Sequence, residues 1–188
     1  MTLPPAAIGR IAALGLLAAL LQLTAASQVS IFGVPMDLSP LIVASVGFLC
    51  GSVPGAVFGF CFGLFADTAL MQTLGVTSLV LTAVGYGAGR VRELRDPAHG
   101  LAPVAVGAAA TAIAALGITL LQFLLGVEAP VSGQVVRQIL MTIVLNTLLA
   151  LPVYAICRRV LLPYLPDDPR RRRRRAYTTG GLSPLSRA

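Results

Sequence analysis

Long apolar runs alternate with short polar or glycine- and proline-containing breaks from residue 11 to residue 157. Six apolar segments can be placed, at about 11–29, 40–52, 54–70, 75–89, 101–125 and 135–157. About 20 apolar residues in a helix cross the roughly 30 Å hydrocarbon layer of a bilayer. The pattern predicts an all-α integral membrane protein with six transmembrane helices over residues 1–162, the second of them short.

Composition excludes an ordinary soluble domain. Of the 188 residues, 56% are hydrophobic and only 11% are charged, whereas soluble domains carry about 25% charged residues. No lysine is present, so the topology depends on arginine. With six spans and a cytoplasmic N-terminus, 13 of the 14 arginines fall on the cytoplasmic side and only Arg137 falls outside. The positive-inside tendency therefore predicts that both termini are cytoplasmic.

The stretch GAVFGFCFGLFAD in the third segment contains a regular glycine stripe. Glycine recurs at every fourth position, at Gly55, Gly59 and Gly63, and the fourth segment repeats the spacing at Gly85 and Gly89. Residues four apart lie on nearly the same face of a helix. Small residues on one face let helix backbones approach closely in a membrane. The stripes are therefore interpreted as a helix-packing or partner-contact surface.

Asp67 continues the glycine stripe, which favours a position facing protein rather than lipid. Candidate donors for its carboxylate are Thr68, Gln72, Thr73, Ser78 and Arg137. The amides at the start of the fourth segment are a further candidate, because a helix N-terminus attracts anions. Three roles remain open: structural anchoring, contact with a partner, and binding of a proton, ion or substrate.

Further polar residues interrupt the apolar segments. Gln22, Gln122 and Asn146 lie within predicted spans, where an amide favours an interhelical hydrogen bond. Asn146 is the best candidate for locking the bundle, although such amides could also line a ligand pocket. Asp37 is expected at the outer interface. Ser39 before Pro40 predicts an N-cap followed by proline at the first helical position.

The C-terminal segment has a different character. After residue 162 the chain contains DDP and then six consecutive arginines, Arg170, Arg171, Arg172, Arg173, Arg174 and Arg175. Residues 163–188 are predicted to form a flexible, polybasic cytoplasmic tail. Its arginines are expected to bind anionic lipid or an acidic protein partner. Nucleic acid is not expected, because no folded recognition element accompanies the run.

Ordered short motifs carry a family resemblance. They are, in chain order, Pro35 and Asp37, the glycine stripe ending at Asp67, Leu74-Gly75, Gly85-Tyr86 and Gly89. In this order and spacing the segment from residue 33 to residue 92 resembles the bacterial rod shape-determining membrane protein family MreD. One departure is Met36, which separates the proline from the aspartate.

The resemblance implies a non-enzymatic adaptor of the machinery that elongates the side wall of rod-shaped cells. It implies an MreC-like bitopic protein as partner, together with an MreB-like filament and the peptidoglycan synthases of elongation. The implied fold is similar to the six-helix substrate-binding subunits of energy-coupling factor transporters, and such a transporter subunit is the alternative function. The implied location is the bacterial cytoplasmic membrane.

The residues themselves agree with a non-enzymatic role. The single histidine, His99, falls in a predicted cytoplasmic loop. The sequence contains no glycine-rich phosphate loop and neither an HExxH nor a GxSxG motif. The three cysteines are scattered along the chain. No catalytic residue, metal site or cofactor is therefore predicted.

Overall fold

The computed structural model of the chain describes residues 5–28, 30–31, 34–35, 37–94, 102–126 and 133–161. These residues form six α-helices, as predicted, and one short hairpin. The helices are α1 (Pro5–Gln28), α2 (Ser39–Cys50), α3 (Ser52–Ala69), α4 (Val76–Leu94), α5 (Ala102–Leu124) and α6 (Gly133–Leu161). The hairpin pairs β1 (Ser30–Ile31) with β2 (Val34–Pro35) in antiparallel fashion. His99 and the polybasic tail with Arg170–Arg175 lie outside the described residues.

Three of the described helices are long and apolar enough to cross a membrane. They are α3, α5 and the Val136–Leu161 part of α6. Shorter apolar stretches occupy Ile8–Gln22 of α1 and the whole of α2. The last turns of α4 carry Arg90, Arg92 and Glu93. These lengths and compositions fit the predicted membrane protein.

The short helix α2 lies at the centre of the bundle. It contacts each of the other five helices, and every residue from Ser39 to Leu49 is buried. At about 1.5 Å per residue its 12 residues extend roughly 18 Å. A helix this short leaves unpaired backbone groups at both ends within the bundle, so other elements must supply their hydrogen-bond partners.

The N-cap of α2 differs from the predicted one. Ser39 is the first helical residue and Leu38 occupies the N-cap position, so the assignment of Ser39 as N-cap was wrong. The carboxylate of Asp37 accepts the Ser39 N–H at 3.0 Å, and the Gln22 side chain accepts the Leu38 N–H at 3.2 Å. A side-chain cap from Ser39 is not required, because residues outside the helix satisfy these donors.

A single residue, Gly51, connects α2 to α3. Its φ of 107° and ψ of 177° define a conformation that side-chain-bearing residues rarely adopt. The glycine therefore allows two consecutive helices to turn sharply. After this elbow, α3 runs antiparallel to α4, and these two helices form the most extensive interhelical contact of the described bundle.

Candidate functional site

The glycines of α3 and α4 bring the two helix backbones into direct contact. A Cβ atom placed on Gly55 would lie 2.5 Å from the Gly85 carbonyl oxygen, and one on Gly59 would lie 2.7 Å from the Leu81 carbonyl carbon. A Cβ on Gly63 would lie 2.7 Å from the Ser78 amide nitrogen. Side-chain carbons do not approach backbone atoms this closely. We call the contact formed by Gly55, Gly59, Gly63, Gly85 and Gly89 the glycine seam.

The glycine seam extends to the central helix and to the elbow. A Cβ on Gly55 would also lie 2.6 Å from the Cα of Gly47 in α2, and a Cβ on Gly89 would overlap the backbone of Ser52 and Gly51. Gly47 was not singled out from the sequence. The signal was present, since the four-residue spacing continues upstream through Gly51 to Gly47. The elbow at Gly51 interrupts the helix between Gly47 and Gly55, so the four-residue spacing alone does not show which helices pack together.

Asp67 closes the end of the glycine seam at which α3 ends and α4 begins. Its side chain is 1% exposed, and its Oδ2 accepts the backbone N–H of Gly75 at 2.8 Å. Gly75 immediately precedes α4 and has a φ of 94°, and its N–H belongs to the start of that helix. The other carboxylate oxygen, Oδ1, has no hydrogen-bond partner among the described residues. Asp67 therefore links the end of α3 to the beginning of α4.

Three of the donors considered for Asp67 bond elsewhere or reach it only through the backbone. The Thr68 hydroxyl donates to the carbonyl oxygens of Leu64 and Phe65, and the Ser78 hydroxyl donates to the Phe60 carbonyl at 3.0 Å. Gln72 reaches Asp67 only through its own backbone N–H, which donates to the Asp67 carbonyl at 3.0 Å.

Glu93 forms the corresponding contact at the other end of the glycine seam. Its Oε1 accepts both the backbone N–H of Ser52 at 3.1 Å and the Ser52 hydroxyl at 2.7 Å. Ser52 is the first residue of α3. Each helix of the antiparallel pair thus supplies a carboxylate from its last turns to the beginning of the other. The negative charge of Glu93 also interacts favourably with the helix dipole at the N-terminus of α3.

Electrostatics at Glu93 follow from these contacts. The hydrogen bonds from Ser52 lower the pKa of the Glu93 carboxyl below its ordinary value. Arg90 contributes less, through an ion pair to Oε2 at 3.3 Å. The Arg90 guanidinium also lies 5.7 Å from the Tyr86 ring centroid.

Arg92 supplies a hydrogen-bond donor to the C-terminal end of α2, the other helix that meets the elbow at Gly51. Its guanidinium donates to the carbonyl oxygen of Leu49, in the last turn of α2. A cation is favourable at a helix C-terminus, as an anion is at an N-terminus. The adjacent residues Arg92 and Glu93 therefore hold the two helix ends that meet at Gly51. Sequence reasoning missed both residues, although Gly85, Gly89 and Glu93 repeat the four-residue spacing of Gly59, Gly63 and Asp67.

Three polar residues predicted separately come together at the start of α2. Gln22 donates to the Asp37 carboxylate at 3.1 Å. Asn146 donates to the Asp37 carbonyl oxygen at 2.7 Å and contacts the Thr111 hydroxyl at 3.3 Å. Asn146 lies in the middle of α6, so Asp37 lies at that level of the bundle. The position of Asp37 at the outer interface stays a prediction. The cluster supplies hydrogen-bond partners for backbone groups at the N-terminus of α2.

Gln122 does not join this polar cluster. It is half-buried near the end of α5, and within the described residues no hydrogen bond from its side chain is observed. The described part of the chain also holds no group of three His, Cys, Asp or Glu residues close enough to bind a metal ion.

The bundle and its glycine seam define a helical membrane protein whose central helices are held by backbone packing and by carboxylates at helix ends. The family model for the rod shape-determining protein MreD matches residues 10–160. The chain therefore belongs to the MreD family, which confirms the resemblance drawn from its motifs. No curated protein and no solved structure is significantly similar to the chain. Membership of this family implies a role in determining rod shape.

Proposed function

We propose that the protein is a multi-pass, non-enzymatic adaptor in the bacterial cytoplasmic membrane, with six crossings and both termini in the cytoplasm. Family membership supports the rod-shape role, and the three membrane-capable helices support the location. The distribution of arginines supports the orientation. The adaptor binds an MreC-like bitopic protein and, through it or alongside it, an MreB-like filament and the synthases that elongate the cell wall.

The observation that carries the adaptor proposal is the burial of the glycine seam inside the chain. The seam glycines contact backbone of this chain, so a partner helix has to bind elsewhere. Helix α3 presents a second stripe on its outer face, formed by Val53, Val57, Phe60 and Leu64, all exposed. We place the MreC-like helix on this stripe, because the seam fixes the orientation of α3 in the bundle.

Quantitative recovery of partners from native membranes tests the proposal. A tagged copy is solubilised mildly, and the co-purified proteins are measured by mass spectrometry. An MreC-like protein is expected with the wild type, and Val57→Ala combined with Phe60→Ala should reduce its recovery at least severalfold. The matched control is Val144→Ala combined with Leu148→Ala, which removes two exposed apolar side chains from one face of α6, four positions apart instead of three.

Two outcomes would overturn parts of this proposal. Equal loss of the MreC-like protein in both double variants would exclude the α3 stripe as the specific contact. Recovery of paired ATPases with a membrane coupling subunit, in place of an MreC-like protein, would support the transporter alternative.

A further inference from the structure

The turn that joins α3 to α4 presents an exposed apolar surface. It covers residues 70–75, and three of its side chains are large and apolar. Leu70 is 44% exposed, Met71 95% and Leu74 65%. The turn is closed by backbone hydrogen bonds and by the Asp67 carboxylate, so these three side chains do not hold it together. We call Leu70, Met71 and Leu74 the α3–α4 tip.

Met71 has a backbone conformation that its residue type does not explain. Its φ of 51° lies in the left-handed region, where glycine and asparagine are the residues that fit best. Its side chain is almost fully exposed, so packing inside the described chain does not explain the methionine either. What remains is a contact outside the chain, where removal of the side chain from water is favourable.

The length of the α3–α4 pair indicates what surrounds the tip. At the opposite end, Arg90 and Glu93 mark the boundary of the hydrocarbon layer, because charged side chains are costly inside it. From Arg90 to Val76 the axis of α4 rises about 21 Å, and the residues from Asp67 to Met71 add about 6 Å. The tip therefore lies about 27 Å from Arg90 and about 31 Å from Glu93 along the axis. The hydrocarbon layer is about 30 Å thick, so the tip reaches its far boundary and extends no further.

Two arrangements are compatible with this length. The tip contacts acyl chains at the far boundary, or the bilayer thins around the helix pair and the tip projects into water. Projection would leave the three apolar side chains in water, whereas insertion removes them from it. The polar residues of the same turn, Gln72 and Thr73, are exposed as well and suit the level of the headgroups. The composition of the turn therefore favours insertion.

We propose that the α3–α4 tip inserts its three apolar side chains between acyl chains and anchors the helix pair in the leaflet opposite Arg90. In the proposed orientation of the chain this is the outer leaflet. Asp67 then lies one turn below the tip, within the hydrocarbon layer, and its burial by protein keeps the carboxylate away from lipid. The inference rests on the proposed crossing of the membrane by α3 and α4, and it requires no partner protein.

Fluorescence quenching tests the depth of the tip. The chain contains no tryptophan, so Met71→Trp and Leu74→Trp each introduce a single fluorophore. Each full-length variant is reconstituted into phosphatidylcholine vesicles. Its emission is quenched either by phosphatidylcholine brominated along one acyl chain or by acrylamide in the aqueous phase. Leu74→Trp covers the case in which a larger side chain at the left-handed position of Met71 prevents folding.

Leu94→Trp is the matched control. Leu94 belongs to the same helix pair and is 79% exposed, but it lies beyond Arg90 and Glu93 at the opposite end. Ile113→Trp, at an exposed position in the middle of α5, gives the reference for a side chain in hydrocarbon. The ratio of lipid quenching to acrylamide quenching should be severalfold higher for both tip variants than for Leu94→Trp.

Three other outcomes would contradict the proposal. Tip variants that behave like Leu94→Trp would place the tip in water, as expected for a thinned bilayer. Resistance to both quenchers would place it in a protein contact, such as a second copy of the chain. In both cases lipid quenching of Ile113→Trp would leave the proposed membrane location standing. Absence of lipid quenching in Ile113→Trp as well would contradict the membrane crossing itself, and with it the proposed function.

Discussion

The helix pairs α3–α4 and α5–α6 are held together in different ways. In α3–α4 the backbones touch at the glycine seam, and each helix sends a carboxylate to the beginning of the other. In α5–α6 the contact is made by side chains. Gly107 faces the Ala150 side chain, and Asn146 reaches the Thr111 hydroxyl. Backbone packing leaves no room for a side chain at the glycine seam, whereas in α5–α6 a side chain already lies between the two backbones.

The largest expected effect comes from filling the glycine seam. Gly59→Leu would force a side chain into the Leu81 backbone, which cannot move without separating α3 from α4. We expect a loss of at least about 3 kcal/mol in unfolding free energy, or failure to accumulate a folded protein. Thermal unfolding in detergent, monitored by far-ultraviolet circular dichroism, measures the change.

Gly87→Leu is the control for this experiment, since Gly87 is also helical but has open space where its Cβ would lie. It should melt close to the wild type. If the two leucine variants had equal stability, tight packing would not be what distinguishes α3–α4.

A smaller effect is expected where side chains join the helices. Asn146→Leu preserves approximate volume but leaves the carbonyl oxygen of Asp37 without its donor. A lost interhelical hydrogen bond of this kind costs about 1–2 kcal/mol. Gln122→Leu should cost much less, because no hydrogen bond from Gln122 is observed among the described residues. Urea or SDS titration of the two variants ranks them, and the reverse order would contradict the role assigned to Asn146.

The smallest effect concerns Glu93 and pH. Hydrogen bonds from Ser52 lower the pKa of Glu93 in the folded protein. Such a group stabilises the fold above the pKa of the unfolded chain, and the contribution is lost as pH falls through the lowered folded value. Between about pH 7 and about pH 3, wild type should therefore lose more melting temperature than Glu93→Gln does.

Arg90→Gln provides the comparison for the pH experiment. It removes the ion pair but leaves the two hydrogen bonds from Ser52, which lower the Glu93 pKa more. Most of the pH dependence attributed to Glu93 should persist in this variant. Its complete disappearance would mean that the ion pair, and not the capping of α3, controls the titration.

Local spacing made the helices and the glycine positions predictable. Apolar segments of the right length give the six helices, and glycines four residues apart lie on one helix face whatever the rest of the fold does. Membership of the MreD family could also be predicted from the order of the short motifs along the sequence. The Ser39 cap failed by one residue, because acceptors on Asp37 and Gln22 replaced the expected local one.

Contacts between distant residues could not be predicted in the same way. Asn146 and Asp37 are separated by 109 positions, and no periodicity relates them. The elbow at Gly51 changes the direction of the chain within one residue, so the partners of Gly47, Arg92 and Glu93 depend on the tertiary arrangement. Helical spacing could have drawn attention to Glu93. It could not predict that the Glu93 carboxylate accepts a hydrogen bond from the Ser52 backbone N–H.

The hydrogen bond from Asn146 to Asp37 has a consequence for the order in which the protein is made. The α3–α4 hairpin is contiguous in sequence, so we expect its two helices to associate as soon as they leave the translocation machinery. The carbonyl oxygen of Asp37 can accept its hydrogen bond from Asn146 only after the ribosome has added more than a hundred further residues. During that interval the start of α2 lacks one of its final partners. A chain stalled before α6 would therefore be a preferred substrate for membrane quality control.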